Sequence, residues 1–348
     1  MTKSRAMLYG IGILGVALLV LGVVLPLGAC NTAGESVKVE PAVTATVVAT
    51  PTPVPTPDFN KVVTFPDSKL EYHIRQALGK PFGREIYWHE LLTLVTLSVP
   101  YCDISDLRGL EYCINLVYLD LTGDHVSDLS PLVGLTNLED IALQYNQISD
   151  ITPLANLSNL RWLRLSYNHG LSDISPLSGL TGLSTLMLQD CNINDIAPLS
   201  KLVNLTYLAI NNNQISDITP LANFSDLMDL TIGWNRITNI SVLAGMAKLE
   251  VLGINDNNLS DITPLAGLTN MAGLSLHNNR ISDISPLAGL TKLESLRINN
   301  NQIIDIEPLV NNSGIGTGDE VYLIGNPLND DSNNVYIPQL EARGVSVE

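Results

Sequence analysis

Leu138-Glu139-Asp140-Ile141-Ala142-Leu143-Gln144-Tyr145-Asn146-Gln147-Ile148-Ser149-Asp150-Ile151-Thr152-Pro153-Leu154 decides the fold, because the chain restates its pattern again and again. Registers open at Leu94, Leu116, Leu138, Leu160, Leu183, Leu205, Leu227, Leu249, Met271 and Leu293, a period of 22 residues with one extra residue beside His169-Gly170. Ten consecutive copies at a fixed period mark a solenoid, which grows by stacking rather than by enlarging one globule. The length of 348 residues therefore does not translate into two or three separate domains.

Physics assigns the positions within each repeat. Apolar positions 4 and 6 alternate with polar ones, as a strand with one buried face requires. Recurrence of that segment in every coil predicts parallel strands stacked about 4.8 Å apart. Position 9 is Asn in seven repeats, namely Asn146, Asn168, Asn213, Asn235, Asn257, Asn279 and Asn301. The chain must turn there, and an inward amide supplies both a donor and an acceptor to stranded backbone groups. Position 13 is Asp in nine repeats and position 16 is Pro in eight, a start signal for a short helical turn. A 22-residue unit leaves no room for a long helix, so the outer side is expected to be 3₁₀-like or irregular.

The Leu-x-x-Leu-x-Leu-x-x-Asn pattern is that of leucine-rich repeats, and Ser149-Asp150-Ile151-Thr152-Pro153-Leu154 resembles the internalin type. The resemblance implies an α/β solenoid: a horseshoe with a parallel concave β-sheet, a 3₁₀/irregular convex side and a helical N-terminal cap over residues 61–93. Ahead of the repeats, Leu70, Ile74 and Leu78 follow at helical spacing, with Ser68 and Glu71 placed for a capping box. A second helical piece is expected around Tyr87–Leu92. Repeats span 94–314, and 315–348 read as a C-terminal cap, in which Val321, Leu323, Asn326 and Leu328 restate positions 4, 6, 9 and 11. Tyr336–Leu340 and Gly344-Val345 then predict a short helix and a closing strand. No immunoglobulin-like domain or sorting motif follows, so adhesion to host receptors is not carried over from internalins.

The front of the chain has a different character. Lys3 and Arg5 precede an apolar run from Met7 to Leu27, then Leu27-Gly28-Ala29-Cys30. A basic segment, an apolar run and small residues are the layout of a secretory signal, although the run is also long enough for an uncleaved membrane anchor. Leu27-Gly28-Ala29-Cys30 resembles the bacterial lipobox, which implies cleavage of residues 1–29 and lipidation of Cys30. Two or three acyl chains anchor stably where one is marginal. Pro41, Pro51, Pro53, Pro55 and Pro57 lie among Thr, Val and Ala in the 30–60 linker, which predicts an extended spacer and no core. At about 3.1 Å per residue it reaches on the order of 90 Å. The expected location is extracytoplasmic, at the cell surface, attached to the membrane through lipid only.

Charge narrows the partners. Eighteen Lys and Arg against 35 Asp and Glu give −17, and phosphate backbones need clustered cations, so nucleic acid is excluded as a partner. His89-Glu90-Leu91-Leu92-Thr93 starts like a zinc-protease helix but lacks the second His, and Gly314–Gly318 lacks the setting of a phosphate loop. The latter reads as a flexible break. No spacing argues for a catalytic constellation, a cofactor or a metal site. Cys102 and Cys191 stand at the Asn position of their repeats and read as buried thiols, with a Cys102–Cys113 disulfide the open alternative.

Function is sought on the face opposite the core, at positions 3, 5, 7 and 8. Of the nine aromatic residues between 94 and 314, seven fall there: Tyr101, Tyr118, Tyr145, Trp162, Tyr167, Tyr207 and Trp234. Tyr and Trp dominate protein-binding hot spots and also stack on sugars, so the expected ligand is a protein or a polysaccharide. Arg164 and Met187 complete the candidate surface, while repeats eight to ten look bland, with Gly253, Gly273, Ser275 and Asn299. Two readings compete: β-propensity alone explains aromatics on strands, leaving a structural envelope component with no specific ligand.

Overall fold

A computed structural model describes Asp58 and residues 60–348. The expected signal segment, Cys30 and the proline-rich stretch up to Pro57 lie outside the described residues. Among the described residues no helix is long and apolar enough to cross a membrane.

Strand β1 (Val62–Val63) pairs antiparallel with β2 (Ile86–Tyr87), flanking helix α1 (Ser68–Ala77) and followed by helix α2 (Trp88–Leu91). Leu70, Ile74, Trp88 and Leu91 are buried in the same core as Leu94 and Leu97 of the first coil. The N-cap of α1 is Asp67, not Ser68: its carboxylate accepts from the N–H of Lys69 at 2.9 Å and of Leu70 at 3.1 Å. Asp67 also accepts from Ser105 N at 2.8 Å, tying α1 to coil 1, while Glu71 pairs with Arg75 instead of closing a capping box.

Twelve strands then form one parallel sheet in sequence order. They are β3 (Thr96–Ser98), β4 (Tyr118–Asp120), β5 (Asp140–Ala142), β6 (Trp162–Arg164), β7 (Thr185–Met187) and β8 (Tyr207–Ala209). The series continues through β9 (Asp229–Thr231), β10 (Val251–Gly253), β11 (Gly273–Ser275), β12 (Ser295–Arg297), β13 (Glu320–Tyr322) and β14 (Ser346–Val347). Strands β3 to β13 each cover only positions 3 to 5, and position 4 points into the core. Leu138, Ile141, Leu143, Ile148, Leu154 and Leu157 are 0% exposed, and their equivalents make one continuous apolar column from Val63 to Val345. The outer side is a row of 3₁₀ turns such as Thr152–Leu154 and Ser175–Gly179. Most start where the position-13 carboxylate takes an N–H, as Asp150 does from Thr152 at 2.8 Å, and Asn239 does the same with its amide oxygen in coil 7. The tenth coil departs by closing its turn as helix α3 (Glu307–Asn311).

The position-9 amides do what the pattern demands. Asn146 Oδ1 accepts from Val126 N at 2.9 Å, and its Nδ2 donates to the carbonyls of Leu121 at 2.7 Å and Leu143 at 3.1 Å. Every such residue therefore bonds its own turn to the coil before it. Cys191 substitutes weakly, its Sγ lying 3.6 Å from the carbonyls of Leu165 and Gln189. Cys102 and Cys113 are buried and are not linked to each other by a disulfide, and burial pushes the Cys113 thiol up to about 12. A second amide ladder on the outer side escaped the repeat reading: Asn137 and Asn159 donate to Ile114 and Thr136 at 2.9 and 2.8 Å.

At the C-terminal end, Asn326 Nδ2 donates to Ile298 O at 2.9 Å, so the irregular last coil keeps the ladder. Helix α4 (Ile337–Ala342) follows, and β14 closes the sheet beside β13, just after the Gly344-Val345 expected for it. Within the glycine stretch before it, Gly314 is a close approach, whereas Gly316 and Gly318 have open space around them. A Cβ on Gly314 would sit 1.9 Å from the carbonyl oxygen of Thr291.

Candidate functional site

Strand register sets out the open face residue by residue. Asp140, Trp162, Thr185, Tyr207 and Asp229 lie side by side on consecutive strands, and Ala142, Arg164, Met187 and Ala209 form the parallel row. Tyr118 heads the first row from β4. Trp162 and Tyr207 are thus two strands apart, about 10 Å at strand spacing. Tyr118, Trp162, Arg164, Met187 and Tyr207 are half-buried among their neighbours.

The other four expected residues are not on strands. Tyr101, Tyr145, Tyr167 and Trp234 occupy position 8, where the chain turns with φ of 58°, 58°, 62° and 53°. The same left-handed conformation recurs at Gly123, Asp190, Asn212, Asp256, Asn278 and Asn300, one in each remaining coil. Gly, Asn and Asp suit that conformation, whereas a large side chain there costs about 1 kcal/mol. Strand propensity therefore accounts for three of the seven aromatics and not for the other four. Tyr101 is 58% exposed, Tyr145 49% and Trp234 59%, so no core burial offsets the strain.

These rings are arranged, not scattered. Tyr145 and Tyr167 stack with centroids 4.1 Å apart and planes 7° from parallel. The gap in the aromatic run at coil 2 is filled from coil 1: a Cβ on Gly123 would meet the Tyr101 ring at 2.2 Å. Gly123 thus serves both the left-handed turn and the ring lying against it. Trp234 stands apart, three coils beyond Tyr167.

Charge on this face is partly internal. Arg164 Nη2 binds Asp140 Oδ1 across one coil, opposing the burial that raises the Asp140 carboxyl. Tyr118 and Tyr207 are each pushed up to about 12, chiefly by burial, with Asp120 and Asp229 adding to the effect respectively. Asp229 itself is raised to about 6 by burial alone.

Coils eight to ten are less bland than their sequence. Ser275 Oγ lies 2.9 Å from His277 Nδ1, and His277 Nε2 lies 3.4 Å from Asp256. Burial holds the His277 imidazole below its usual value. Arg297 lies over the Tyr322 ring at 5.0 Å. A count of aromatics per column misses these residues, because Tyr322 falls outside the regular repeats and the rest are charged or polar. Extending the register through Val321 would have placed Tyr322 beside Arg297. Among the described residues no three metal-ligating side chains come together.

A family model described as leucine-rich repeats, two copies, matches residues 181–223 and 269–311. No curated protein matches the chain. Among solved structures, the chain is 34% identical to an internalin (inlF) of Listeria monocytogenes, covering 82% of this chain and 91% of that one with a TM-score of 0.71. It is 36% identical to internalin C2 of the same organism, over 66% of this chain and 92% of that one, with a TM-score of 0.54. The functional domain of InlJ, which includes a cysteine ladder, shares 21% identity over 83% and 62% of the two chains, with a TM-score of 0.68.

Proposed function

Because the chain belongs to the internalin-like family of bacterial leucine-rich-repeat proteins, we propose that it is an extracytoplasmic binding protein. It is held to a membrane by a lipid on Cys30 and engages a protein through the open face of its sheet. The observation that carries the reading is the position-8 column. Four large aromatic residues are kept in a left-handed turn that other coils fill with Gly, Asn or Asp, and three of them are about half exposed or more. Strain retained at an exposed site argues for a use. A protein is favoured over a polysaccharide because Tyr, Trp and Arg, the residues gathered on this face, dominate protein-binding hot spots. Residues 61–93 and 315–348 belong to the same proposal as covers for the two ends of the array, which solenoids need for solubility.

The test is a footprint of the full chain, with and without envelope extract, followed by capture with the Trp162→Ala/Trp234→Ala double variant. Protection of the open face in coils one to seven, lost in the double variant, is the expected result. Capture unchanged by the double variant would overturn the assignment in favour of an envelope component without a specific ligand.

A further inference from the structure

The open face contains the same arrangement twice, once complete and once lacking a part. In coil 3, Asp140 sits between Tyr118 and Trp162, and Arg164 reaches it from two residues further along the next strand. In coil 7, Asp229 sits between Tyr207 and Val251 with the same tyrosine on the same side. The residue that corresponds to Arg164 is Gly253, again 24 positions beyond the aspartate. Thr231 lies beside Gly253 on β9 and brings no charge.

The consequence is an incomplete ion pair. Asp229 Oδ1 is buried and has no hydrogen-bond partner among the described residues, and no ion pair to its carboxylate is present there. Asp140 Oδ1, by contrast, is occupied by the Arg164 guanidinium. Leaving a buried carboxylate oxygen unpaired is costly, and a folded chain ordinarily avoids it. Exposed apolar surface flanks β9 along the chain, Met228 directly before it at 42% exposed and Trp234 three residues after it at 59%, of the kind that takes the stem of a long basic side chain. Arg297 presents the opposite deficit, with Gly273 where an aspartate would stand and its Nε unpaired, but the Tyr322 ring covers its guanidinium in part.

We propose that Asp229, with the space left by Gly253, is the subsite that takes a guanidinium side chain from the protein ligand, in the place Arg164 fills beside Asp140. The inference rests on the open face being the binding surface and names what one point of it recognises. Burial without an opposing cation also raises this carboxyl to about 6, which gives the subsite a readout.

The test follows the Asp229 carboxyl by carbon NMR in the full chain, with the signal identified by its loss in Asp229→Asn. Saturating N-acetylarginine amide is expected to lower its titration midpoint by a unit or more, and the neutral isostere N-acetylcitrulline amide to leave it in place. Gly253→Arg is expected to lower the midpoint with no additive and to abolish the response. The added Cβ itself meets nothing closer than Thr231 Cγ2 at 3.4 Å, an ordinary contact. A midpoint unmoved by N-acetylarginine amide, or moved as far by calcium at equal concentration, overturns the proposal. Capture from envelope extract separates the two levels. Capture intact in Asp229→Asn but lost in the Trp162→Ala/Trp234→Ala variant overturns this subsite alone, whereas capture intact in both overturns the binding surface itself.

Discussion

Asp124→Asn should stabilise the front of the array at neutral pH and have little effect in acid. Asp124 stands at position 9 of coil 2, where most coils carry Asn, and is 4% exposed. Its Oδ1 accepts from Cys102 N at 2.9 Å and Ile104 N at 3.0 Å, as an Asn would, but Oδ2 has no partner among the described residues. By the register of Asn146, the group in that place should donate to two carbonyls, here those of Val99 and Leu121. An ionised carboxylate cannot donate, whereas a protonated one can. Burial raises this carboxyl to about 6, against the two backbone N–H bonds and His125, which lower it. Because the folded value lies above the unfolded one, the stabilising contribution is complete below about pH 4, falls between about 4 and 6, and stays lost above. A displacement of about 2 units at about 1.4 kcal/mol each puts the loss near 3 kcal/mol at pH 7, an upper figure. Trp88 is fully buried and packs edge-on against Tyr112, so its fluorescence reports urea unfolding of the first coils. The midpoint difference between Asp124→Asn and the parent should open from near zero at pH 4 to its full size by pH 7. A difference that is the same at both ends of that range would refute the protonation argument.

Three further outcomes are expected. Trp234→Asn should raise the unfolding free energy by up to about 1 kcal/mol while weakening ligand capture, because Asn tolerates the left-handed turn that Trp does not; a destabilised variant in thermal melts would contradict the strain assigned to position 8. Asn279→Ala strips the acceptor from Leu259 N and the donor from the carbonyls of Ile254 and Leu276, and should cost about 1–3 kcal/mol in urea titration. An unchanged midpoint would remove Asn279 from the ladder. Cys30→Ser should release the chain from membranes into the medium and abolish incorporation of labelled fatty acid, and retention of label would place the lipid elsewhere.

How much of this was legible in the sequence depends on what each feature is made of. Period-22 burial, the Asn ladder and the Asp-led 3₁₀ turns were readable because each is a local demand repeated many times: Leu143 must point inward, Asn146 must satisfy a turn, Asp150 must take the N–H of Thr152. The capping residue of α1 was misread because Asp67 and Ser68 both suit the role and only the link to Ser105 in coil 1, far along the chain, selects between them. The site was half legible. Alternation puts Trp162 and Tyr207 at strand positions on the open face, whereas position 8, grouped with them as outward, is where the backbone has already turned. The stacking of Tyr145 on Tyr167, the ring of Tyr101 against Gly123 and the missing cation beside Asp229 are relations between coils. A reading along one coil does not contain them.

Those relations also explain where the molecule is weakest. A solenoid's stability is the sum of its coils and of the interfaces between neighbours, so each departure from the best residue is felt locally and is not shared by the whole. Coils one to seven carry Asp124 and Cys191 in the amide ladder, four aromatic residues in left-handed turns and the unpaired Asp229. Coils eight to ten have Asp256, Asn278 and Asn300 at position 8 and an unbroken Asn257, Asn279 and Asn301 behind them. Apart from the unpaired Arg297 Nε in coil ten, the chain therefore departs from its own best solution on one stretch of the array, and that stretch presents the aromatic rows. A partner that covered Trp234 and completed the charge at Asp229 would return stability where it is missing, coupling recognition to the firmness of the coils that recognise.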